Sequence, residues 1–325
     1  MIKPRNCIIA GLVTITCTVA EPLYAAEYPS RPIRMLVGFA PGGGTDVTAR
    51  AIAQKLSAFL GQQVIVDNRA GGAGNAATET LVRASADGHT ILMGTIAALA
   101  INPTLYGNLP FDPVKDLAPV AQAVNSSNIL VVLNSVPATS VKDLIALAKA
   151  KPGQLNYGSS GVGGTGHLSG VLFDTLAGTV MTHVPYQGGG PAMNALLGGQ
   201  IQLVFATAAT AVPQIKAGKI RGIAATTLAR ASVMPELPTI AESGLPGFDA
   251  NNWYGIVVPA RTPKTIIARL NAETVKALNA PDLKALFQTQ GLDPAPGTPE
   301  QFGAYIKSEI ARWAKIIKAA GAKAS

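Results

Sequence analysis

Ile33-Arg34-Met35-Leu36-Val37-Gly38-Phe39-Ala40-Pro41-Gly42-Gly43-Gly44-Thr45-Asp46 joins an apolar run to a glycine-rich turn. Residues 33–39 are β-branched or apolar and read as a buried strand. Pro41 to Gly44 stop that strand. Thr45 or Asp46 offers a side-chain oxygen that caps a helix by accepting from its free N–H groups. Val47, Ile52, Leu56, Phe59 and Leu60 then recur at helical spacing, Gly61 ends the helix, and Val64-Ile65-Val66 is a second strand. Strand, Gly-rich turn, helix and strand make a βαβ unit, which implies a parallel pair. A helix over 75–85 and a strand over 90–94 repeat the pattern.

Working outward, a second unit starts near Asn125. Strands are predicted over 129–133, 155–157, 182–185, 201–205 and 220–226, and helices over 141–150, 167–176, 191–197 and 211–217. A strand over 253–258 follows, then helices over 263–279, 281–290 and 299–320, each opening at a proline. In the last, Phe302, Ile306, Ile310, Trp313 and Ile317 form one apolar face, which reads as core packing. The chain thus holds two α/β units and crosses between them twice, near Asn125 and near Trp253.

The length of 325 residues agrees with about two domains. The chain is 48% hydrophobic and only 14% charged, and Gly and Pro together make roughly 18% of it. That composition excludes disorder, collagen and coiled coil. At the N-terminus, Lys3 and Arg5 precede an apolar run over 8–19, then Pro22 and the small residues Ala25 and Ala26. This is the layout of a secretory signal peptide. The run from Asn6 to Ala20, about 15 residues, is shorter than the ~20 needed to span a bilayer. Loss of 1–26 removes Lys3, Arg5 and Glu21, leaving 24 basic and 17 acidic residues and a net charge of +7. It also removes both cysteines, Cys7 and Cys17. The mature chain is therefore expected to have no disulfide, no thiolate nucleophile and no Cys-ligated metal. Its basic residues come singly, without interleaved aromatics, which argues against nucleic acid. Their modest excess suits anionic ligands.

Two Gly-rich loops carry the candidate chemistry. In the first, Phe39 to Asp46, glycines allow close backbone approach and the helix start favours negative charge. Gly42, Gly43, Gly44 and Thr45 are the candidate contacts, with Phe39 as a wall. Gly42-x-Gly44-x-x-Val47 also approaches a dinucleotide fingerprint, with Asp67 where a ribose-binding acid would stand, and a plain structural turn is the third reading. The second loop runs from Tyr157 to Leu168 and supplies Ser159, Ser160, Gly161, Gly164, Thr165 and His167. Its Gly161-x-Gly163-x-x-Gly166 matches the fingerprint fully, but no acid ends the next strand. In a two-lobed α/β protein ligands lie outside the carboxyl ends of the strands. Two facing loops of neutral donors then make a clamp for a carboxylate. Thr95, after the strand over 90–94, adds a hydroxyl, and Tyr186, before Gly188-Gly189-Gly190, adds a wall. Phe205-Ala206-Thr207 is a further candidate wall. Catalysis finds little support: His89, His167 and His183 lack metal spacing, and no Gly-x-Ser-x-Gly elbow exists.

An ordered series of motifs carries a resemblance over the whole mature chain. It includes Tyr28-Pro29-Ser30-Arg31-Pro32-Ile33, Val66-Asp67-Asn68-Arg69 with Gly71-Gly72-Ala73-Gly74-Asn75, Ala86-Asp87-Gly88-His89, Leu109-Pro110-Phe111-Asp112-Pro113, Leu155 to Gly161, and His183-Val184-Pro185-Tyr186-Gln187-Gly188. With these the chain resembles the extracytoplasmic substrate-binding proteins of tripartite tricarboxylate transporters, the Bug family. The resemblance implies an α/β type II periplasmic-binding-protein fold, two Rossmann-like lobes with a ligand cleft between them. It implies domain 1 at 27–126 and 253–325, domain 2 at 127–252, and a signal peptide at 1–26. It implies a periplasmic, monomeric, non-enzymatic protein without cofactor or metal. That protein would capture a small di-, tri- or aromatic carboxylate for integral membrane transporter subunits. A ligand-presenting sensor and an exported enzyme are the alternative roles. Where many relatives have Phe-Asp-Asn this chain has Phe205-Ala206-Thr207, which disfavours an amino-acid ligand.

Overall fold

The computed structural model describes Met1, residues 28–319 and residues 321–323. Apart from Met1, the expected signal peptide, with both cysteines, lies outside the described residues.

β1 (Ile33–Val37), α1 (Gly44–Leu60) and β2 (Val64–Asn68) form the opening βαβ unit, with β1 and β2 parallel. α1 stops where Gly61 turns left-handed, at φ 68°, a conformation that costs glycine little. The N-cap differs from expectation. It is Gly43, which has no side chain to cap with, while the Asp46 carboxylate reaches back to accept from the Gly42 N–H at 3.0 Å. α2 (Asn75–Val82) and β3 (Thr90–Thr95) follow, and β3 lies parallel to β1. A π-helical turn over Ala97–Ile101 leads into α3 (Asn102–Leu105).

The next strand, β4 (Leu117–Ser126), is not among the predicted elements. Its sequence Leu-Ala-Pro-Val-Ala-Gln-Ala-Val-Asn-Ser is poor in β-formers and contains a proline. It is held by its neighbours rather than by propensity. β10 (Asn252–Pro259) pairs with it antiparallel along its length, with an irregularity between Ile256 and Val257, beside Pro119. Prolines settle at such breaks in the ladder. β11 (Leu292–Pro294) covers the other edge of β4 and is likewise unpredicted. The first sheet therefore runs β11-β4-β10-β3-β1-β2 and is mixed.

The second sheet collects β5 (Asn128–Leu133), β6 (Asn156–Ser159), β7 (Thr182–Pro185), β8 (Leu203–Thr207) and β9 (Ile220–Ala225) in the order β7-β6-β8-β5-β9. Its helices are α4 (Val141–Ala150), α5 (Thr165–Ala177), α6 (Gly189–Leu197) and α7 (Ala208–Lys216). β5 runs antiparallel to both β8 and β9. The chain leaves the first sheet between Ser126 and Asn128 and returns at Asn252. The two passages lie side by side, since Asn252 pairs with Ser126.

α8 (Lys264–Asn279), α9 (Pro281–Thr289) and α10 (Pro299–Ala319) complete the chain on the first sheet's side. Phe302, Ile306, Trp313 and Ile317 of α10 are buried in the largest core cluster, with Ile310 packed against it. No helix among the described residues is long and apolar enough to cross a membrane.

Candidate functional site

The carboxyl ends of β1, β3 and β8 and the start of β5 converge on a cavity of about 50 Å³ between the two sheets. Four helices begin at its wall. α1 starts after Gly43, α5 after Gly164, α6 after Gly188 and α7 after Thr207, and none has a side-chain cap. Gly43, Gly44, Thr45, Gly164, Thr165, Gly166, Gly189 and Thr207 line the space. The first N–H groups of each helix have no intrahelical partner, and each N-terminus carries roughly half a positive charge. Among the described residues, no Lys, Arg, His, Asp or Glu lines the cavity. The site is thus electropositive without a cation.

The two sides are in contact. The Ala40 N–H donates to the Gln187 carbonyl at 2.8 Å, and the Tyr106 hydroxyl donates to the Val162 carbonyl at 2.8 Å. Glycines permit this approach. A Cβ on Gly43 would stand 3.3 Å from the Gly189 nitrogen, and one on Gly190 would stand 2.8 Å from the Pro41 carbonyl oxygen.

Side-chain polarity at the cavity comes from amides and hydroxyls. Asn128 is fully buried and gives its Nδ2 to the Thr165 hydroxyl at 3.1 Å. Among the described residues its Oδ1 has no partner, and neither has the Thr95 hydroxyl, which is 5% exposed. The Asn252 amide donates to the Tyr254 hydroxyl at 3.2 Å. Burial pushes the Tyr254 pKa upward, against hydrogen bonds from Thr45, Asn252 and Ser126, so the phenol stays a neutral donor.

Of the residues singled out in the sequence, Phe39, Gly43, Gly44, Thr45, Thr95, Ser160, Gly164 and Thr165 line this cavity, and so do the candidate walls Phe205, Ala206 and Thr207. Gly42, Ser159, Gly161, His167 and Tyr186 do not, for physical reasons. The Gly42 N–H is spent on Asp46. The Ser159 hydroxyl bonds to Gly161 and, at 2.7 Å, to His183 Nε2. His167 Nδ1 accepts from the Gly163 N–H at 3.2 Å, and its ring stacks on His183 with centroids 4.2 Å apart. Burial lowers the His167 pKa to about 4; burial and the neighbouring His167 lower that of His183 to about 3. Both imidazoles are neutral at physiological pH, and they brace the loop. Gly161 and Tyr186 line a separate cavity of about 240 Å³ nearby, which Ser160 also borders.

Asp67 does not act as a ribose acid would: it is paired with Arg34 and Arg69. Beside it, Asn68 donates to the Phe39 carbonyl and to Asp46, both at 2.9 Å, and so ties down the first loop. Burial raises the Asp46 pKa, but hydrogen bonds from Arg50, Gly42 and Asn68 outweigh it and hold the carboxyl below its usual range. Sequence reasoning missed Asn128, Ala192, Val204, Asn252 and Tyr254 at the cavity, and reached Gly189 only as part of the turn after Tyr186. Asn128 and Asn252 each open a strand where the chain passes between sheets. An asparagine at such a place is the only signal the sequence offered.

The chain matches the family described as the tripartite tricarboxylate transporter family receptor over residues 48–322. It belongs to that family. Protein BugT of Bordetella pertussis is 36% identical over 316 residues, covering 97% of each chain. An R. palustris protein solved with adipate (Rpa4515) is 38% identical, with a TM-score of 0.88 over 91% of this chain and 99% of that one. A second Rhodopseudomonas palustris protein, MatC, solved with bound malate, is 30% identical, with a TM-score of 0.86 over 89% and 100%. This receptor of the Bug family therefore has the periplasmic-binding-protein fold, as the sequence implied.

Proposed function

We propose that this receptor captures a small carboxylate between two lobes in the periplasm, without catalysis, and presents it to integral membrane transporter subunits. The lobes are taken as 27–126 with 253–325, and 127–252, a division supported by the membership of the two sheets. The observation that carries the reading is the meeting of four helix N-termini without side-chain caps at a cavity lined, among the described residues, by no charged side chain. An anion placed there gains oriented N–H donors and helix dipoles from both lobes. A cationic ligand would find no carboxylate to pair with, and burying it unpaired is costly. The relatives solved with adipate and with malate support the same ligand class.

A thermal-shift screen of the mature chain with mono-, di-, tri- and aromatic carboxylates, and with matching amines and amides, tests this. A true ligand at 100 times its Kd adds about 2.7 kcal/mol of stability. Stabilisation by at least one carboxylate and by no amine is the expected pattern. Stabilisation by amines alone would overturn the reading.

A further inference from the structure

We propose that Tyr106 is the latch that holds the two lobes closed, acting from outside the cavity that takes the ligand. The inference rests on the two-lobe capture read above and adds to it a residue that touches no ligand. Tyr106 follows α3, on the side of the first sheet, and its hydroxyl donates to the Val162 carbonyl at 2.8 Å. Val162 belongs to the loop between β6 and α5, on the side of the second sheet. Burial raises the Tyr106 pKa, so the hydroxyl keeps the proton it donates. Both residues border the cavity of about 240 Å³, and neither lines the smaller one.

The contact is braced on both sides. The Tyr106 N–H donates to the Asn102 carbonyl at 3.0 Å, so the two residues stand one turn apart on one helix face. Asn102 is fully buried, and its Nδ2 donates to the Gly72 carbonyl at 3.2 Å and to Asn75 Oδ1 at 2.7 Å. Its Oδ1 abuts Gly163, where an added Cβ would overlap it. Across the gap, Gly161 and Gly163 take positive φ, at 131° and 88°, and the Gly163 N–H is held by His167 Nδ1. Val162 thus sits between two fixed residues.

Both halves of the latch continue into the ligand cavity. Ile96 and Ala97, where the π-helical turn leading to α3 begins, line that cavity, as do Ser160 and Gly164 on either side of Val162. A ligand that draws these two walls together also brings the Tyr106 hydroxyl to the Val162 carbonyl. When the lobes part, both groups return to water, so the bond counts only toward the closed state.

The mature chain is expected to hold no cysteine. Ala40→Cys with Gln187→Cys, at two residues whose backbones meet at 2.8 Å, then gives one thiol pair that only the closed protein brings together. The rate at which a short thiol-bridging reagent joins the pair in the ligand-free chain reports the closed fraction. Adding Tyr106→Phe should slow bridging about 3- to 10-fold, the factor that one hydrogen bond implies, and should leave the urea midpoint of the ligand-free chain unchanged. Where bridging occurs only with an acid from the thermal-shift screen, the same ratio is read with that acid below saturation. Equal rates with and without the hydroxyl overturn the latch and leave carboxylate capture standing. A lower urea midpoint at equal rates makes Tyr106 a packing residue and overturns it too. No bridging in either background, with or without any acid of the screen, overturns the latch and lobe closure together.

Discussion

A single methyl group decides whether the loops can meet. In Gly190→Ala the new Cβ would lie 2.8 Å from the Pro41 carbonyl oxygen and 3.1 Å from the Gly42 carbonyl carbon. Both are backbone atoms of the opposite lobe and cannot swing aside. Ligand affinity should fall by at least about ten-fold, while denaturant unfolding of the ligand-free protein shifts by no more than about 0.5 kcal/mol, as for a surface change. Unchanged affinity would mean that the lobes do not close along this contact. The histidine pair makes a pH prediction. His167 titrates near 4 in the fold against an ordinary 6.5, so the unfolded chain binds more protons between those values. Stability is fully present above pH 6.5 and is lost as pH falls toward 4. Denaturation midpoints should drop over pH 6.5–5, before most carboxylates titrate, and the drop should shrink in His167→Gln. An equal slope in that variant would assign the pH dependence elsewhere. At this scale the sequence showed which loops hold donors but not which atoms are free. The Ser159 hydroxyl and the His167 ring looked available because their partners, His183 and Gly163, are fixed only by the folded loop.

At the scale of elements, α10 secures the second passage between lobes. Arg312 donates to the Asp249 carboxylate at 2.5 Å and to Asn251 Oδ1 at 2.6 Å, and Trp253 Nε1 donates to Glu309 at 3.1 Å. Burial raises the Asp249 pKa, with Arg312 pulling it down and Glu309 pushing it up. Arg312→Ala leaves the half-buried Asp249 carboxylate with only the Leu228 N–H and the Asn251 amide oxygen without a partner. It should cost about 1–3 kcal/mol in urea unfolding. A loss below 0.5 kcal/mol would reduce the network to surface decoration. The apolar stripe of α10 was legible because helical periodicity is local, whereas its polar hold on 249–253 joins residues some sixty positions apart. The same contrast explains β4 and β11. Strong formers announced β1, β2 and β3, but β4 owes its conformation to pairing with β10 and β11, which no local pattern encodes.

For the whole molecule, two sheets joined by two adjacent passages form a hinge geometry, with Ser126–Asn128 and Asn251–Asn252 side by side. Closure about such a hinge brings loops from both lobes onto one ligand. The two-unit organisation could be read from repeated strand, Gly-rich turn and helix patterns. The antiparallel strands that make both sheets mixed could not, since they follow from how the chain returns rather than from its periodicity. Closure on a carboxylate is tested by small-angle scattering of the mature chain, with and without a saturating carboxylate from the thermal-shift screen. The ligand-free protein should have the larger radius of gyration, and saturation should contract it to the value of the closed structure, in which Ala40 meets Gln187. A radius that stays unchanged through saturation would contradict a clamp that closes on its ligand.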